Sequence, residues 1–322
     1  MYRVFPLFAA LLILALAFPI APTPTPAHAQ DGTDRQPGDY ALSMEYDGLT
    51  RTYLLHIPPG YDGSQPYPLV IGLHGGTGTA EQFQRSSGIN AAADDLGFIA
   101  VFPDGTGRLQ TWNAGHCCGL SRRDNVDDVG FIAALIAELS AELNLDPARF
   151  YATGMSNGAM MSYRLGAELP DVLAGIGPVA GSIGGQYEAG APEVVIPAPD
   201  EPVSVIAING MLDEAVRYEG GLSGGVFGGT RVDISVADSI AFWVEHNNCD
   251  PDPHTETTAG GNIIRDTYSC PAGVEVVLIT IVDGTHSWPG GTRGWIGGPE
   301  PNRDISATVE ILEFFLAHPK TG

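Results

Sequence analysis

The sequence predicts an α/β fold with a mostly parallel β-sheet, helices on both faces of the sheet and an antiparallel hairpin at its N-terminal edge. From Tyr53 onward, short apolar runs rich in β-branched residues alternate with stretches of helical period, which is typical of parallel β-α units. Before them, two alternating segments flank Asp47-Gly48, a dipeptide that favours a tight hairpin turn. The 322 residues are enough for one such domain with long loops.

The individual elements follow from these patterns in chain order. The expected strands cover residues 41–46, 50–57, 69–73, 99–102, 150–153, 175–179, 203–209 and 275–282. The expected helices cover residues 80–96, 128–143, 157–169, 233–246 and 305–317, with Asp127 or Asp128 and Asp304 as N-caps. Segments 181–202, 219–230 and 289–303 are rich in glycine and proline, so we expect loops that wall a ligand site at the strand ends.

The first residues have the pattern of a secretory signal peptide. The positive residue Arg3 precedes the apolar run 4–20, and Ala27-His28-Ala29 offers a cleavage site. A membrane anchor is the alternative, but the run contains two prolines and is shorter than the ~20 residues that a spanning helix needs. We therefore expect a secreted protein with no membrane attachment after cleavage. The expected division is a signal peptide (1–29), a flexible N-terminus (30–40) and a single catalytic domain (41–322).

The charge of the chain argues against nucleic acid as a partner. Acidic residues number 38 against 15 basic ones, which gives a formal net charge of −23 and no basic stripe. His116 lies beside a cysteine pair, but no second His/Cys cluster completes a tetrahedral metal site. We expect no metal, no other cofactor and a monomeric protein.

The four cysteines of an exported protein predict two disulfides. Cys249 and Cys270 flank a polar segment, so a bridge that closes this segment is the natural pairing. Cys117 and Cys118 are adjacent, which allows either a vicinal disulfide or two crossed bridges. The sequence leaves that choice open.

A candidate nucleophile lies in Gly154-Met155-Ser156-Asn157-Gly158, a G-x-S-x-G motif. The motif directly follows the expected strand 150–153 and precedes the expected helix 157–169, and this context is typical of the α/β-hydrolase fold. A sharp strand-to-helix turn exposes the serine hydroxyl, and the helix N-terminus favours developing negative charge. Ser223 lies in a second match to the motif, but no strand precedes it and no helix follows it. The sequence therefore predicts Ser156 as the nucleophile.

Two backbone amides are expected to bind the oxyanion that such a nucleophile creates. The residue after the serine, Asn157, supplies the first. The second is expected from Leu73-His74-Gly75-Gly76-Thr77, where an apolar strand ends in a segment whose glycines allow close approach of the backbone. We favour the Gly76 amide, with Thr77 as the alternative. His74 is interpreted as structural because it precedes the serine and lies in a segment that shapes the backbone.

The base and the acid should follow the serine, each in a loop after a strand. His286 follows the strongest late strand, whereas His254 lies between Cys249 and Cys270, so His286 is the better candidate base. Asp213 stands four residues beyond the preceding strand and is the expected acid, with Glu214 as its competitor. The acid holds the histidine tautomer and takes no proton itself.

Together these segments resemble the secreted esterases grouped as polyhydroxybutyrate depolymerase-like and as feruloyl or acetyl xylan esterases. The matching segments are Leu73 to Gly76, Thr111 to Gly119, Val126 to Phe131, Gly154 to Met160, Asp213 to Gly221 and His286 to Gly290. The resemblance implies carboxylic ester hydrolysis through a Ser-His-Asp triad and an acyl-enzyme, without a cofactor. The resemblance implies plant cell-wall esters or polyesters as substrates and does not choose between them. Because no binding module for an insoluble polymer is visible, we rank cell-wall esters first and polyesters as the alternative, with a serine peptidase of the same fold as a more distant one.

The segment that carries the expected acid departs from the family's pattern. The family's acid segment usually begins His-Gly-Thr, whereas Asn209-Gly210-Met211 stands here. Thr77, Met155 and Trp288 are the expected substrate-binding residues. Trp288, Trp295 and Tyr218 have two interpretations, because such aromatic side chains line an acyl pocket or belong to the core.

Overall fold

The computed structural model describes Met1, residues 35–224 and residues 230–320. The expected signal peptide lies outside the described residues except for Met1, and so does the first part of the expected flexible N-terminus. Strand pairing begins at Gly38, three residues before the expected start at Ala41. Among the described residues, no helix has both the length and the apolar character needed to cross a membrane.

A main sheet of ten strands runs through the described residues in the order β1-β2-β4-β3-β5-β6-β9-β14-β13-β12. Its strands are β1 Gly38–Tyr46, β2 Leu49–Ile57, β3 Tyr67–Leu73, β4 Ile99–Pro103, β5 Leu145–Met155, β6 Gly175–Val179, β9 Ser204–Gly210, β12 His254–Thr258, β13 Ile263–Ser269 and β14 Glu275–Ile281. The pairs from β4 through β3, β5, β6 and β9 to β14 are parallel, and the outer pairs are antiparallel. The mostly parallel sheet with an N-terminal hairpin is therefore confirmed.

The hairpin of β12 and β13 was not expected from the sequence, which showed only a polar segment between Cys249 and Cys270. All five residues of β12 are exposed, so this edge strand lacks the apolar alternation that predicts strands. A disulfide joins Cys249 to Cys270 as expected and closes the two ends of the hairpin. The other disulfide is the vicinal pair Cys117–Cys118, one of the two arrangements that the sequence left open.

A smaller sheet lies mostly in segments that were expected to be loops. Its strand Val232–Asp233 includes the expected start of the helix 233–246, which begins only at Val236. Its strands are β7 Gly184–Gln186, β8 Val194–Val195, β10 Gly221–Leu222 and β11 Val232–Asp233, in the order β10-β11-β7-β8 within the described residues. Strands of two or three residues are too short to show a sequence period. The sequence therefore could not distinguish them from loops.

Helices cover both faces of the main sheet. Their bounds are α1 Ala80–Ser87, α2 Ile89–Leu96, α3 Gly119–Arg123, α4 Asp128–Glu142, α5 Asn157–Glu168, α6 Val236–His246 and α7 Ala307–Ala317. The expected helix 80–96 is broken at Gly88, whose φ of 72° ends α1. Asp127 caps α4 by accepting from the Gly130 amide, but Asp304 is not the cap of α7. Ser306 takes that place, two residues later.

Two apolar layers hold these helices to the sheet. Phe131, Tyr163 and Trp243 belong to the layer under α4, α5 and α6. Phe83 and Phe315 belong to the layer under α1, α2 and α7. Successive side chains of β3 alternate between the two layers because side chains of a strand point to opposite faces. Each central strand is therefore apolar on both faces, which explains why its sequence is a continuous apolar run.

A buried ion pair joins the hairpin to α4. Arg51 Nη2 donates to Asp128 Oδ1 at 2.8 Å, and the two side chains are 2% and 0% exposed. Asp128 Oδ2 accepts from the Asn113 amide at 2.7 Å, and the guanidinium lies 3.8 Å from the Phe131 ring centroid. Asp128 therefore fixes the loop before the vicinal disulfide and does not serve as the helix cap.

Asp128→Asn should lower the free energy of unfolding by about 3–5 kcal/mol, because it leaves the buried Arg51 without a counter-charge. Denaturant unfolding monitored by tryptophan fluorescence measures this change. Asp124→Asn is the matched control, since the Arg123–Asp124 pair is exposed and its loss should leave stability almost unchanged. Equal stability of the two variants would contradict a structural role for the buried pair.

Candidate active site

Ser156 occupies a sharp turn between β5 and α5. Its φ of 57° and ψ of −120° are rare for a residue with a side chain, and the Ser156 amide donates to the Val179 carbonyl at 2.9 Å. The flanking glycines allow this turn: a Cβ on Gly158 would lie 2.1 Å from the Leu73 carbonyl oxygen, and one on Gly154 would lie 2.6 Å from the same atom. The motif therefore forms the strained elbow that its pattern predicts.

The Asp213 carboxylate accepts a hydrogen bond from His286. The distance from His286 Nδ1 to Asp213 Oδ2 is 2.7 Å, and Asp213 is 4% exposed. The other carboxylate oxygen accepts from the amides of Ala215 and Val216 at 2.8 and 2.9 Å. These contacts fix the orientation of the carboxylate. The structure thus brings together the expected acid and the expected base, and Glu214 makes no hydrogen bond to His286 among the described residues.

The loops that carry these two residues are joined through the backbone. Asp213 follows β9 and His286 follows β14, its parallel neighbour in the sheet. The Leu212 amide donates to the Gly284 carbonyl at 2.8 Å. A Cβ on Gly210 would lie 2.3 Å from the same carbonyl oxygen, so only glycine permits the approach. The Asp213–His286 pair at the carboxyl ends of β9 and β14 is therefore held by backbone contacts as well as by its side-chain hydrogen bond.

The tautomer of His286 follows from its contact with Asp213. Because Nδ1–H donates to the carboxylate, Nε2 is left with a free lone pair. Within the described residues, the Ser156 hydroxyl makes no hydrogen bond to this nitrogen; such contacts often tighten only when substrate binds. His254 is on the exposed edge strand β12, where it faces Glu256, and the structure does not bring it to this site.

Two amides lie beside the serine without a hydrogen-bond partner among the described residues, those of Gly76 and Asn157. A Cβ on Gly76 would lie 3.7 Å from the Asn157 Cβ, which shows how closely the two segments approach. The Thr77 amide already donates to the Gln110 carbonyl at 3.3 Å. Of the two alternatives from the sequence, Gly76 therefore has the available donor.

The Asn157 side chain is clamped to the backbone of Trp112. Its Oδ1 accepts from the Trp112 amide at 2.8 Å, and its Nδ2 donates to the Trp112 carbonyl at 3.0 Å. Asn157 is 2% exposed. This clamp fixes the start of α5, and sequence reasoning missed it because the two residues are far apart in the chain.

His74 uses both ring nitrogens in structural contacts. Nδ1–H donates to the Gly75 carbonyl at 2.7 Å, and Nε2 accepts from the Gly105 amide at 2.9 Å. Burial lowers the pKa of His74 below its ordinary value, so the ring is neutral at neutral pH. These contacts agree with the structural role expected for this histidine.

The aromatic residues near the site divide between core and surface. Trp288 is 3% exposed, its ring lies edge-on to Phe83 at 5.1 Å, and its N–H donates to Thr308. Met155 is buried in the same apolar layer. Trp288 and Met155 therefore lie in the apolar layer with Phe83, and their expected role as substrate contacts stays a prediction. Trp295 is 40% exposed, and its ring centroid lies 6.3 Å from that of His286.

A cavity that the sequence did not indicate lies on the same side of His286 as Trp295, which is one of its lining residues. Its volume is about 560 Å³, and α1 and the loop after His286 form its walls. The contributors from α1 are Gln82, Arg85 and Ser86, which have no motif that would distinguish them from ordinary helix surface. Among the described residues, no three His, Cys, Asp or Glu side chains are placed to hold a metal ion.

Comparison with known proteins places this chain in a family. The family model described as Esterase PHB depolymerase matches residues 51–241, which include Ser156 and Asp213. A protein of Nocardia uniformis subsp. tsuyamanensis that carries the name esterase NocK is 33% identical, over 93% of each chain. Feruloyl esterase B of Piromyces equi is also 33% identical, over 76% of this chain and 44% of that protein.

The fold has solved counterparts as well. The acetyl xylan esterase from Aspergillus awamori superposes with a TM-score of 0.57 at 14% identity, over 87% of this chain and 99% of that one. At this identity the likeness concerns the fold alone. The family match over more than half of the chain carries the assignment: the chain belongs to the Esterase PHB depolymerase family and is a carboxylic ester hydrolase.

Proposed function

We propose that the protein hydrolyses carboxylic esters through a Ser156–His286–Asp213 triad and an acyl-enzyme intermediate. The observation that carries this proposal is the 2.7 Å contact between Asp213 and His286, at the sheet edge where Ser156 occupies its elbow. Asp213 holds the tautomer in which Nε2 is unprotonated and stabilises the imidazolium that forms later. No cofactor enters this chemistry.

In acylation, the Ser156 hydroxyl oxygen attacks the ester carbonyl carbon while its proton passes to His286 Nε2. The carbonyl oxygen becomes an oxyanion and accepts hydrogen bonds from the Gly76 and Asn157 amides. When the tetrahedral intermediate collapses, the bond from carbon to the alcohol oxygen breaks, and His286 returns the proton to that oxygen. The alcohol leaves, and the acyl group stays on Ser156.

In deacylation, water takes the place of the alcohol. His286 removes a proton from the water, whose oxygen attacks the acyl carbon, and the same two amides stabilise the second oxyanion. The bond between carbon and Ser156 oxygen then breaks, and the proton on His286 goes to that oxygen. The net reaction consumes one water and gives one carboxylic acid and one alcohol, so the enzyme is restored.

The substrate class that we propose is the esters of plant cell walls, feruloyl or acetyl esters of xylan. The name of the relative from Piromyces equi supports it. The exposed Trp295 beside His286 offers a flat surface for an aromatic acyl group or a sugar ring. Thr77, which is adjacent to the Gly76 donor, is retained as a substrate contact.

We also infer that the protein is secreted as a monomer after cleavage of a signal peptide. The positive start, the apolar run 4–20 and the cleavage pattern before Gln30 support export. Two disulfides among the described residues are consistent with an oxidising compartment.

Ser156→Ala should lower kcat by a factor on the order of 10⁴ or more, because no other group can form the acyl-enzyme. Hydrolysis of methyl ferulate, acetylated xylan and polyhydroxybutyrate by the wild type ranks the substrates, and the best one serves for the variant. Ser223→Ala is the matched control, since it removes the serine of the second G-x-S-x-G match. Loss of activity in the control with full activity in Ser156→Ala would refute the nucleophile.

Asp213→Asn should lower kcat by a factor on the order of 10⁴, because the amide no longer favours the productive tautomer of His286. Glu214→Gln removes the neighbouring negative charge but leaves the contact with His286 intact, so its kcat should stay within a few-fold of the wild type. Steady-state ester hydrolysis measures both. The reverse order of the two effects would make Glu214 the acid.

Expression of the full chain in a secreting host should give a mature protein that begins near Gln30 and contains no free thiol. Intact mass before and after alkylation without reduction checks both points. A retained N-terminus would indicate a membrane anchor. Thiols that react at Cys117 and Cys118 would contradict the vicinal pairing.

A further inference from the structure

We propose that the cavity beside His286 binds a carboxylate that the ester substrate carries in addition to its scissile ester. This inference rests on the proposed function, because the cavity acts on the same substrate. Arg85 and Arg293 line the cavity together with Gln82, Trp295 and Ile296. The ligand class is an ester with a free carboxylate on either its acyl or its alcohol part.

The walls of the cavity are fixed by hydrogen bonds. The Thr292 amide donates to the Ser86 carbonyl at 2.8 Å, and the Gln82 side-chain amide donates to the Gly294 carbonyl. Arg303 donates to the Gly291 carbonyl at 2.8 Å. The loop that carries Arg293 is therefore tied to α1 on either side of this residue. The two arginines face one cavity because the loop and the helix are joined in this way.

Two arginines and no acidic residue line the cavity in the described residues, and each arginine is also paired with a glutamate outside the lining. The protein as a whole has 15 basic residues and a net charge of −23. Arg85 uses Nη1 to contact Glu81, and Arg293 uses Nη2 to contact Glu300. Each guanidinium has five N–H donors, so donors remain for a ligand. A planar carboxylate matches this donor geometry.

The position of Trp295 connects the cavity to the reaction. Its ring lies 6.3 Å from the His286 ring and also lines the cavity. An ester whose carbonyl is within reach of His286 can therefore extend one of its two arms along Trp295 towards the arginines. The exposed Ile296 side chain adds an apolar surface for the linking carbons. The carboxylate would then lie a few bonds from the scissile ester.

Two pairs of esters test the proposal. In the first pair, 4-nitrophenyl hydrogen glutarate carries a carboxylate on the acyl side, and 4-nitrophenyl pentanoate is its neutral counterpart. In the second pair, 4-acetoxybenzoate carries the carboxylate on the alcohol side, and 4-acetoxybenzamide is neutral. The measured quantity is the ratio of kcat/KM for the charged ester to that for the neutral ester. The pair with the larger ratio identifies the arm that enters the cavity.

Arg293→Gln and Arg85→Gln should each lower that ratio about tenfold in one pair, since a lost charge-assisted hydrogen bond has this magnitude. Arg123→Gln is the matched control, because Arg123 is an exposed, ion-paired arginine outside the cavity lining. A ratio that changes less than twofold in both pairs for both cavity variants would overturn the proposal. A Ser156→Ala variant that hydrolyses all four esters would instead refute the proposed function.

Discussion

The parallel pairing of β5, β6, β9 and β14 is the constraint on which the site depends. Strands that run parallel present their carboxyl ends at one edge, so the residues that follow β5, β9 and β14 meet although they are far apart in the chain. The loops have little room to move there. Gly210 lies against the Gly284 carbonyl, and Gly158 lies against Leu73. Backbone contacts therefore position the histidine–aspartate pair and the serine elbow independently of the side-chain contacts.

A second network links stability to the same site. Arg51 donates to Asp128, and Asp128 accepts from the Asn113 amide. The neighbouring Trp112 amide donates to the Asn157 side chain. Asn157 begins α5 and carries one of the two amides that are free to bind an oxyanion. A buried ion pair is weak evidence for stability alone, but here it also fixes the loop at Asn113, whose carbonyl accepts a hydrogen bond from Arg164 of α5. The N-terminal hairpin is thus connected to the Ser156 turn through the side chains of Arg51, Asp128 and Asn157 and the backbone between Trp112 and Asn113.

Sequence reasoning succeeded where the structure of a segment is determined by residues close together in the chain. The central strands are apolar on both faces, and the elbow needs glycines at fixed spacing, so both are visible as short motifs. Sequence reasoning failed where contacts between residues distant in the chain determine the structure. The exposed strand β12 has no apolar period, and Gly88 breaks a helix whose apolar pattern continues across it. Trp288 and Trp295 look alike in sequence, but only the contacts with Phe83 and Thr308 assign the first to the core.

The loop after His286 has an anchored part and an exposed tip. Trp288 anchors its start in the apolar layer, and the hydrogen bonds of Thr292 and Gly294 join its middle to α1. Trp295 and Ile296 extend beyond these anchors and are exposed. Because the anchors lie between His286 and the exposed tip, substitutions at Trp295 and Ile296 should change the cavity walls without moving the histidine. If Ser156, His286 and Asp213 act as proposed, this arrangement gives a physical reason why one triad geometry can serve esters of different acyl and alcohol groups.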